Sequence, residues 1–139
     1  MVLKVKKLDP AAVLPAFAHP GDAGLDLCAP QEYFIEPGDR LLIGTGIALE
    51  IPEGFVGLVW DRSGLSNNHG LKVLGGVVDS GYRGEVKVGL VNLGREAHRI
   101  KKNDKIAQML IQKAEHPDIL EVAELSASSR GGEGFGSTG

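Results

Sequence analysis

The stretch Lys72-Val-Leu-Gly-Gly-Val-Val-Asp-Ser-Gly-Tyr-Arg-Gly-Glu-Val-Lys-Val-Gly-Leu-Val-Asn92 decides the fold. Residues 72–78 and 85–92 read as two strands around the polar turn Asp79-Ser80-Gly81-Tyr82-Arg83-Gly84. In the second, Val86, Val88 and Leu90 alternate with Lys87, Gly89 and Val91, the period at which a strand turns every other side chain to one face. The same style continues outward. Residues 41–51 and 55–60 are apolar runs split by Pro52-Glu53-Gly54, which suggests a hairpin turn. Runs this short, flanked by Gly and Pro, favour buried strands over helices.

Further out, Leu3-Lys4-Val5 alternates, a Pro-punctuated approach covers 10–20, and 21–28 reads as a loop leading into a strand. Tyr33-Phe34-Ile35 is a short strand closed by Glu36-Pro37-Gly38-Asp39. Residues 63–69 suit a short helix before Gly70; 106–111 and 119–125 are the last two expected strands. Glycine accounts for 20 of the 139 residues without a Gly-X-Y period, so a collagen is excluded and many short strands with tight turns are favoured. The expectation is an all-β single domain over 1–129 with a separate Gly-rich arm over 130–139.

Composition narrows the function classes. With 42% hydrophobic residues and 24% charged ones, the chain suits a soluble domain with a modest core. A net charge of −3 argues against a general nucleic-acid or anionic-membrane binder. The single cysteine, Cys28, excludes a disulfide framework and a Cys-based zinc cage and reads as a small buried residue. No apolar run reaches the ~18 residues that span a bilayer, and the start lacks a signal-peptide core. A cytoplasmic location is expected. His19, His69, His98 and His116 show no ligand spacing and read as surface residues.

Several segments carry groups with chemistry. The tail Arg130-Gly-Gly-Glu-Gly-Phe-Gly-Ser-Thr-Gly139 is either a free C-terminus or a segment ordered by a ligand. Its glycine N–H groups can curl round phosphate oxygens, with Arg130, Ser137 and Thr138 as further donors. Phe135, set between glycines, has the flat ring needed to close over a base. Arg62-Ser63-Gly64 joins a guanidinium, a hydroxyl and a Gly amide, a second anion-type group. Asp79 is either a turn former or a carboxylate aimed at a water as general base. Asp22 and Asp26 suit Mg²⁺, which takes carboxylates, phosphates and retained waters. Gln108, polar within an apolar run, is either satisfied in a sheet or aimed at a ligand. Together these describe a phosphate site with Mg²⁺, a base and an aromatic lid, as hydrolysis of a nucleoside polyphosphate needs.

In order, Asp22-Ala-Gly-Leu-Asp-Leu27, Arg62-Ser-Gly-Leu65, Gly76-Val-Val-Asp-Ser-Gly-Tyr-Arg-Gly84, Asp104-Lys-Ile-Ala-Gln108 and residues 130–139 resemble the five motifs of the trimeric dUTP pyrophosphatase (dUTPase) family. The resemblance implies a distorted jelly-roll (β-clip) subunit and a homotrimer with shared active sites. It implies hydrolysis of dUTP to dUMP and pyrophosphate, which limits uracil in DNA and supplies dUMP for thymidylate synthesis. Asp79 would activate the water, and Tyr82 would pack under the deoxyribose and exclude a 2′-hydroxyl. Backbone groups of a hairpin between Val73 and Asp79 would read uracil, in keeping with the plain side chains of Val77 and Val78; Lys87 would line the same pocket. Arg62, Ser63, Gly64 and Gln108 would hold phosphates, Gln108 also helping to place the water, and Asp26 would contact Mg²⁺ through water. The arm would cross to another subunit, with Phe135 on uracil and Arg130, Gly136, Ser137 and Thr138 on the outer phosphates.

Two positions depart from the resemblance: Asp61 stands where Pro is common, and Lys105 where Arg is common. A carboxylate at 61 is expected either to weaken phosphate attraction or to orient Arg62. Two rival readings are weighed against this one. A dCTP deaminase of the related fold would need a catalytic Glu three residues before Asn92, where this chain has Gly89; a non-catalytic relative would not need Asp79, Tyr82, Arg62 and Arg130 together.

Overall fold

The computed structural model describes residues 1–139 and contains ten strands and one short helix. Strands β1 (Lys4–Lys7), β4 (Arg40–Glu50), β8 (Glu85–Asn92) and β6 (Leu71–Leu74) form one antiparallel sheet in the order β1-β4-β8-β6. Strands β2 (Leu25–Cys28), β10 (Lys105–Lys113), β5 (Phe55–Trp60) and β7 (Val77–Val78) form a second, in the order β2-β10-β5-β7. A third pair joins β3 (Tyr33–Ile35) to β9 (His98–Ile100). Helix α1 (Ser63–His69) links β5 to β6. This is the expected all-β distorted jelly roll.

The alternation read in residues 85–92 sets the core. Val86, Val88 and Leu90 are buried on the inner face of β8, while Lys87 is exposed. They meet Ile43 and Ile47 of β4, Val59 of β5 and Ile106 and Met109 of β10 in one cluster of 18 buried apolar residues. Each such side chain contributes roughly 1.5–3 kcal/mol of burial, enough for two sheets with little helix to hold. Cys28 is buried as expected, and burial with the neighbouring Asp26 charge pushes its thiol up, away from a reactive thiolate.

Four expectations need correction. Residues 52–54 do turn, with Phe55 N–H donating to Pro52 O at 3.1 Å, but β4 and β5 lie in different sheets, so this is a corner and not a hairpin. Residues 72–78 are not one strand. Gly75 and Gly76, at φ 68° and 114°, break the run so that β6 pairs with β8 and β7 with β5. That left-handed region is open chiefly to glycine, and a Cβ on Gly76 would lie 2.6 Å from Val59 O. The segment expected to read uracil is therefore a corner between two sheets, not a hairpin paired with itself. Residues 119–125 form no strand. After Ala114 N–H donates to Gly54 O there is no further backbone–backbone bond until Glu133, so the segment has no partner within its own chain. Finally, His98–Ile100 is a strand that the sequence reading passed over.

Candidate active site

Three of the five motif segments converge on one open pocket of about 870 Å³. The antiparallel register brings Asp26 of β2 opposite Gln108 of β10, and Gln108 opposite Trp60 of β5, so the chain leaving β5 passes over both. Asp26, Arg62, Ser63, Gly64 and Gln108 all line this pocket. Arg62 enters the helix in extended conformation (φ −88°, ψ 126°) and makes no cap bond, which leaves its guanidinium free for the pocket floor. There it donates to Oδ1 of the buried Asp26. Lys105 Nζ lies 2.7 Å from Asp26 Oδ2 without hydrogen-bond alignment, so that oxygen has a cation beside it and an unused lone pair. Lys105 thus supplies a charge contact where Arg is common.

Gln108 resolves as both alternatives at once. Its Nε2 donates to Asp61 O at 2.8 Å, which satisfies it in the sheet, while its side chain still walls the pocket. Gly24 permits this approach, because a Cβ there would collide with the Gln108 side chain. Ser63 and Gly64 open α1 and are exposed, with free space beside Gly64. The Asp61 carboxylate does not orient Arg62. It accepts Val73 N–H at 2.6 Å and holds Lys72 Nζ at 2.7 Å.

The remaining candidates lie elsewhere. Asp79 is exposed after β7, its carbonyl accepting Tyr82 N–H at 3.1 Å, and neither residue lines the pocket. Tyr82 is half-exposed, its hydroxyl donating to Glu85 O at 2.9 Å. Val77 is exposed, Val78 half-buried and Val73 buried in the core, its N–H taken up by Asp61 Oδ1. Lys87 is on the outer face of β8. In the arm, Arg130 Nε donates to Glu133 O at 2.7 Å, and every hydrogen bond of residues 130–139 stays within residues 128–139. Phe135 is wholly exposed; Gly136, Ser137 and Thr138 follow it in turns. One chain therefore gathers the phosphate-type groups and holds the base-type and lid-type groups apart from them.

The sequence reading missed part of the pocket wall. Asn68 and His69 of α1, His98 and Arg99 of β9, and Asn103 line it with no spacing signal, since the fold alone brings α1 beside β9. The His69 and His98 rings pack at a 49° tilt with centroids 4.5 Å apart. His98 is half-buried, not a surface residue; burial, and the His69 ring next, pull its imidazole below the usual value, with Asp104 opposing. His19 and His116 are exposed as expected.

No cluster of three or more His, Cys, Asp or Glu side chains is placed to cage a metal. The unused lone pair of Asp26 Oδ2 fits an outer contact to a cation that takes most of its oxygens from phosphates and water, the way Mg²⁺ is commonly held.

A β body whose pocket joins a guanidinium, a hydroxyl, a Gly-opened turn and a carboxamide around one buried carboxylate has the make-up of a polyphosphate-binding enzyme. Comparison with known proteins narrows that class. The dUTPase family profile matches residues 11–139. The deoxyuridine 5′-triphosphate nucleotidohydrolase of Clostridium acetobutylicum is 51% identical over 139 residues, covering 99% of this chain and 96% of that protein. The enzyme of the same name from Nocardia farcinica is 47% identical over 140 residues, covering 99% and 85%. Among solved structures, the dUTPase of Staphylococcus bacteriophage 80alpha with dUpNHpp superposes with a TM-score of 0.94 at 32% identity, covering 99% of this chain and 98% of that one. A variant dUTPase from the S. aureus phage phi11, described with a structural Mg(II) ion, superposes at 0.84 with 28% identity, covering 89% and 98%. The chain belongs to the dUTPase family.

Proposed function

We propose that this chain hydrolyses dUTP to dUMP and pyrophosphate, acting as a homotrimer with composite active sites. The observation that carries the composite reading is the separation of Arg62 from Asp79: the pocket holding the phosphate-type groups contains neither the base nor the aromatic lid. Exposed Ile119, Leu120 and Leu125, on a segment with no strand partner of its own, suit pairing with a neighbouring subunit and delivery of the arm to a site there.

In the assembled site, Asp79 takes a proton from the attacking water. The water oxygen bonds the α-phosphorus, the bond from that phosphorus to its bridging oxygen breaks, and pyrophosphate leaves. Arg62, Ser63 and Gly64 bind phosphate oxygens, so that developing charge meets fixed donors. Gln108, held by the Asp61 carbonyl, keeps its second amide hydrogen and its carbonyl oxygen for placing phosphate and water. Asp26 would hold Mg²⁺ through bound water, and the ion would supply neutralisation of phosphate charge. The corner over residues 73–78 reads uracil through backbone groups, with Val77, Val78 and Lys87 around it, and Tyr82 packs under the deoxyribose. Phe135 closes on the base while Arg130, Gly136, Ser137 and Thr138 close on the outer phosphates, excluding bulk water only when substrate is bound. The reaction is placed in the cytoplasm with the nucleotide pool it acts on.

The deaminase reading is disfavoured. Gly89 supplies no proton-transfer group, and a Cβ there would already press on Leu74 at 3.2–3.3 Å. The nucleotidohydrolase relatives likewise disfavour a non-catalytic protein. The test is pyrophosphate release from dUTP, dCTP, dTTP and UTP with Mg²⁺, with the nucleotide product identified. Release from dUTP alone, yielding dUMP, supports the reading; a uracil nucleotide formed from dCTP overturns it in favour of the deaminase, and silence on all four in favour of the non-catalytic relative.

A further inference from the structure

Asp61 is joined to three separate parts of the site. Its Oδ1 accepts Val73 N–H at 2.6 Å, its Oδ2 holds Lys72 Nζ at 2.7 Å, and its carbonyl accepts Gln108 Nε2 at 2.8 Å. The next residue is Arg62. Two residues beyond Val73 the chain passes through Gly75 and Gly76, both at positive φ, a region that glycine enters without strain. The Gly76 carbonyl accepts Val59 N–H at 2.7 Å, so the corner is tied at one end to β5 and at the other to the Asp61 carboxylate. A proline at position 61 would keep the carbonyl but offer nothing to Val73 or Lys72.

We propose that Asp61 is a positioning residue for base selection, whose carboxylate clamps the 73–78 corner to the loop that opens α1. The inference rests on the corner being the uracil reader. It also means that Val73 N–H, already donated to Asp61, is not free for the base. In the composite trimer, the corner and the loop of one chain serve adjacent sites, so the clamp seats the base reader of one site on the phosphate holder of the next.

The test is steady-state kinetics of the full-length protein on dUTP and dTTP, with Tm measured alongside. For Asp61→Ala, KM for dUTP rises about ten-fold and the kcat/KM preference for dUTP over dTTP falls by a similar factor, while kcat stays within about three-fold. Asp61→Asn keeps an acceptor for Val73 and recovers KM to within about two-fold of the parent. Should the alanine variant fail to fold, Asp61→Ser, whose hydroxyl is too short to reach Val73, takes its place. Unchanged KM and preference overturn the clamp, as does a loss confined to kcat that follows Tm. Gly76→Ala separates the two layers: if it destroys base preference while Asp61→Ala does not, the corner reads the base and Asp61 has no part in it. If Gly76→Ala keeps full preference, the corner is not the reader and both assignments fall.

Discussion

Arg62 is held against Asp26 at the floor of the pocket, and Lys105 stands on the other oxygen of the same carboxylate. Two cations thus share one buried anion, whose side chain is about 10% exposed. Removing the charge leaves both cations without a counter-ion in a partly dry site. Asp26→Asn is expected to lower stability by about 2 kcal/mol and no more, since Arg62 and Lys105 both stay partly solvated. It is also expected to reduce kcat/KM at least about ten-fold, because a released Arg62 no longer points a fixed donor at phosphate. Urea melts and dUTP kinetics check both numbers; full activity with unchanged stability would contradict the role of the pair.

Asp79 sits on the surface with no side-chain hydrogen bond in the isolated chain, so nothing in the subunit depends on its charge. Asp79→Asn should therefore leave the Tm within about 1 °C of the parent, as surface substitutions usually do. It should abolish turnover while dUTP still binds, because only the proton acceptor is removed. Calorimetric titration of the variant with dUTP, paired with pyrophosphate release, decides the point. Sustained turnover would sink the base assignment.

How far the sequence could be read depends on where each piece of information lies. The alternation of Val86, Val88 and Leu90 is local and one-faced, so β8 was legible to the residue. Lys72–Val78 reads as one strand because apolar, strand-favouring residues flank Gly75-Gly76 on both sides, and only the positive φ of that pair sends its two halves to different sheets. Ile119–Leu125 carries a strand pattern, yet a strand needs a partner edge, and this segment bonds to none of the edges of its own chain. His98–Ile100 is three residues long and exists only because Tyr33–Ile35 lies beside it. At the site, Arg62, Asp26 and Gln108 were legible as residue types in order. Their tie to Lys105, Arg99 and the two paired histidines was not, since α1 and β9 meet only in three dimensions.

The arm makes no hydrogen bond to the β body, and its large ring, Phe135, is fully exposed. Ending the chain at Ser129 should then spare folding and assembly while removing most activity; sedimentation and dUTP turnover report the two separately. If sites are composite, mixing this truncated chain with full-length Asp79→Asn chains, each inactive, restores part of the activity. A site can then draw Asp79 from one chain and the arm from another. Normal turnover without the arm would refute the lid role of Phe135, and no recovery on mixing would refute the sharing.

His98 gives the fold a sensitivity to mild acid. Burial, with the His69 ring next, holds its folded-state pKa below the usual His value, with Asp104 opposing. The unfolded chain therefore binds a proton that the folded chain resists, and stability rises with pH across that interval. The contribution is complete above about pH 6.5, the ordinary His value, and is lost as pH falls through the lower folded-state value. Between about pH 7.5 and 5.5 the Tm of the parent should fall more than that of His98→Gln, which has no proton to take up. The window stays above the range where carboxylates titrate, so the difference between the two curves reports the imidazole. Because His98 and His69 line the phosphate pocket, dUTP should flatten the parent curve by supplying the anion that a protonated His98 lacks. Parallel curves for parent and variant, with and without dUTP, would mean that the histidine pair does not govern the acid response.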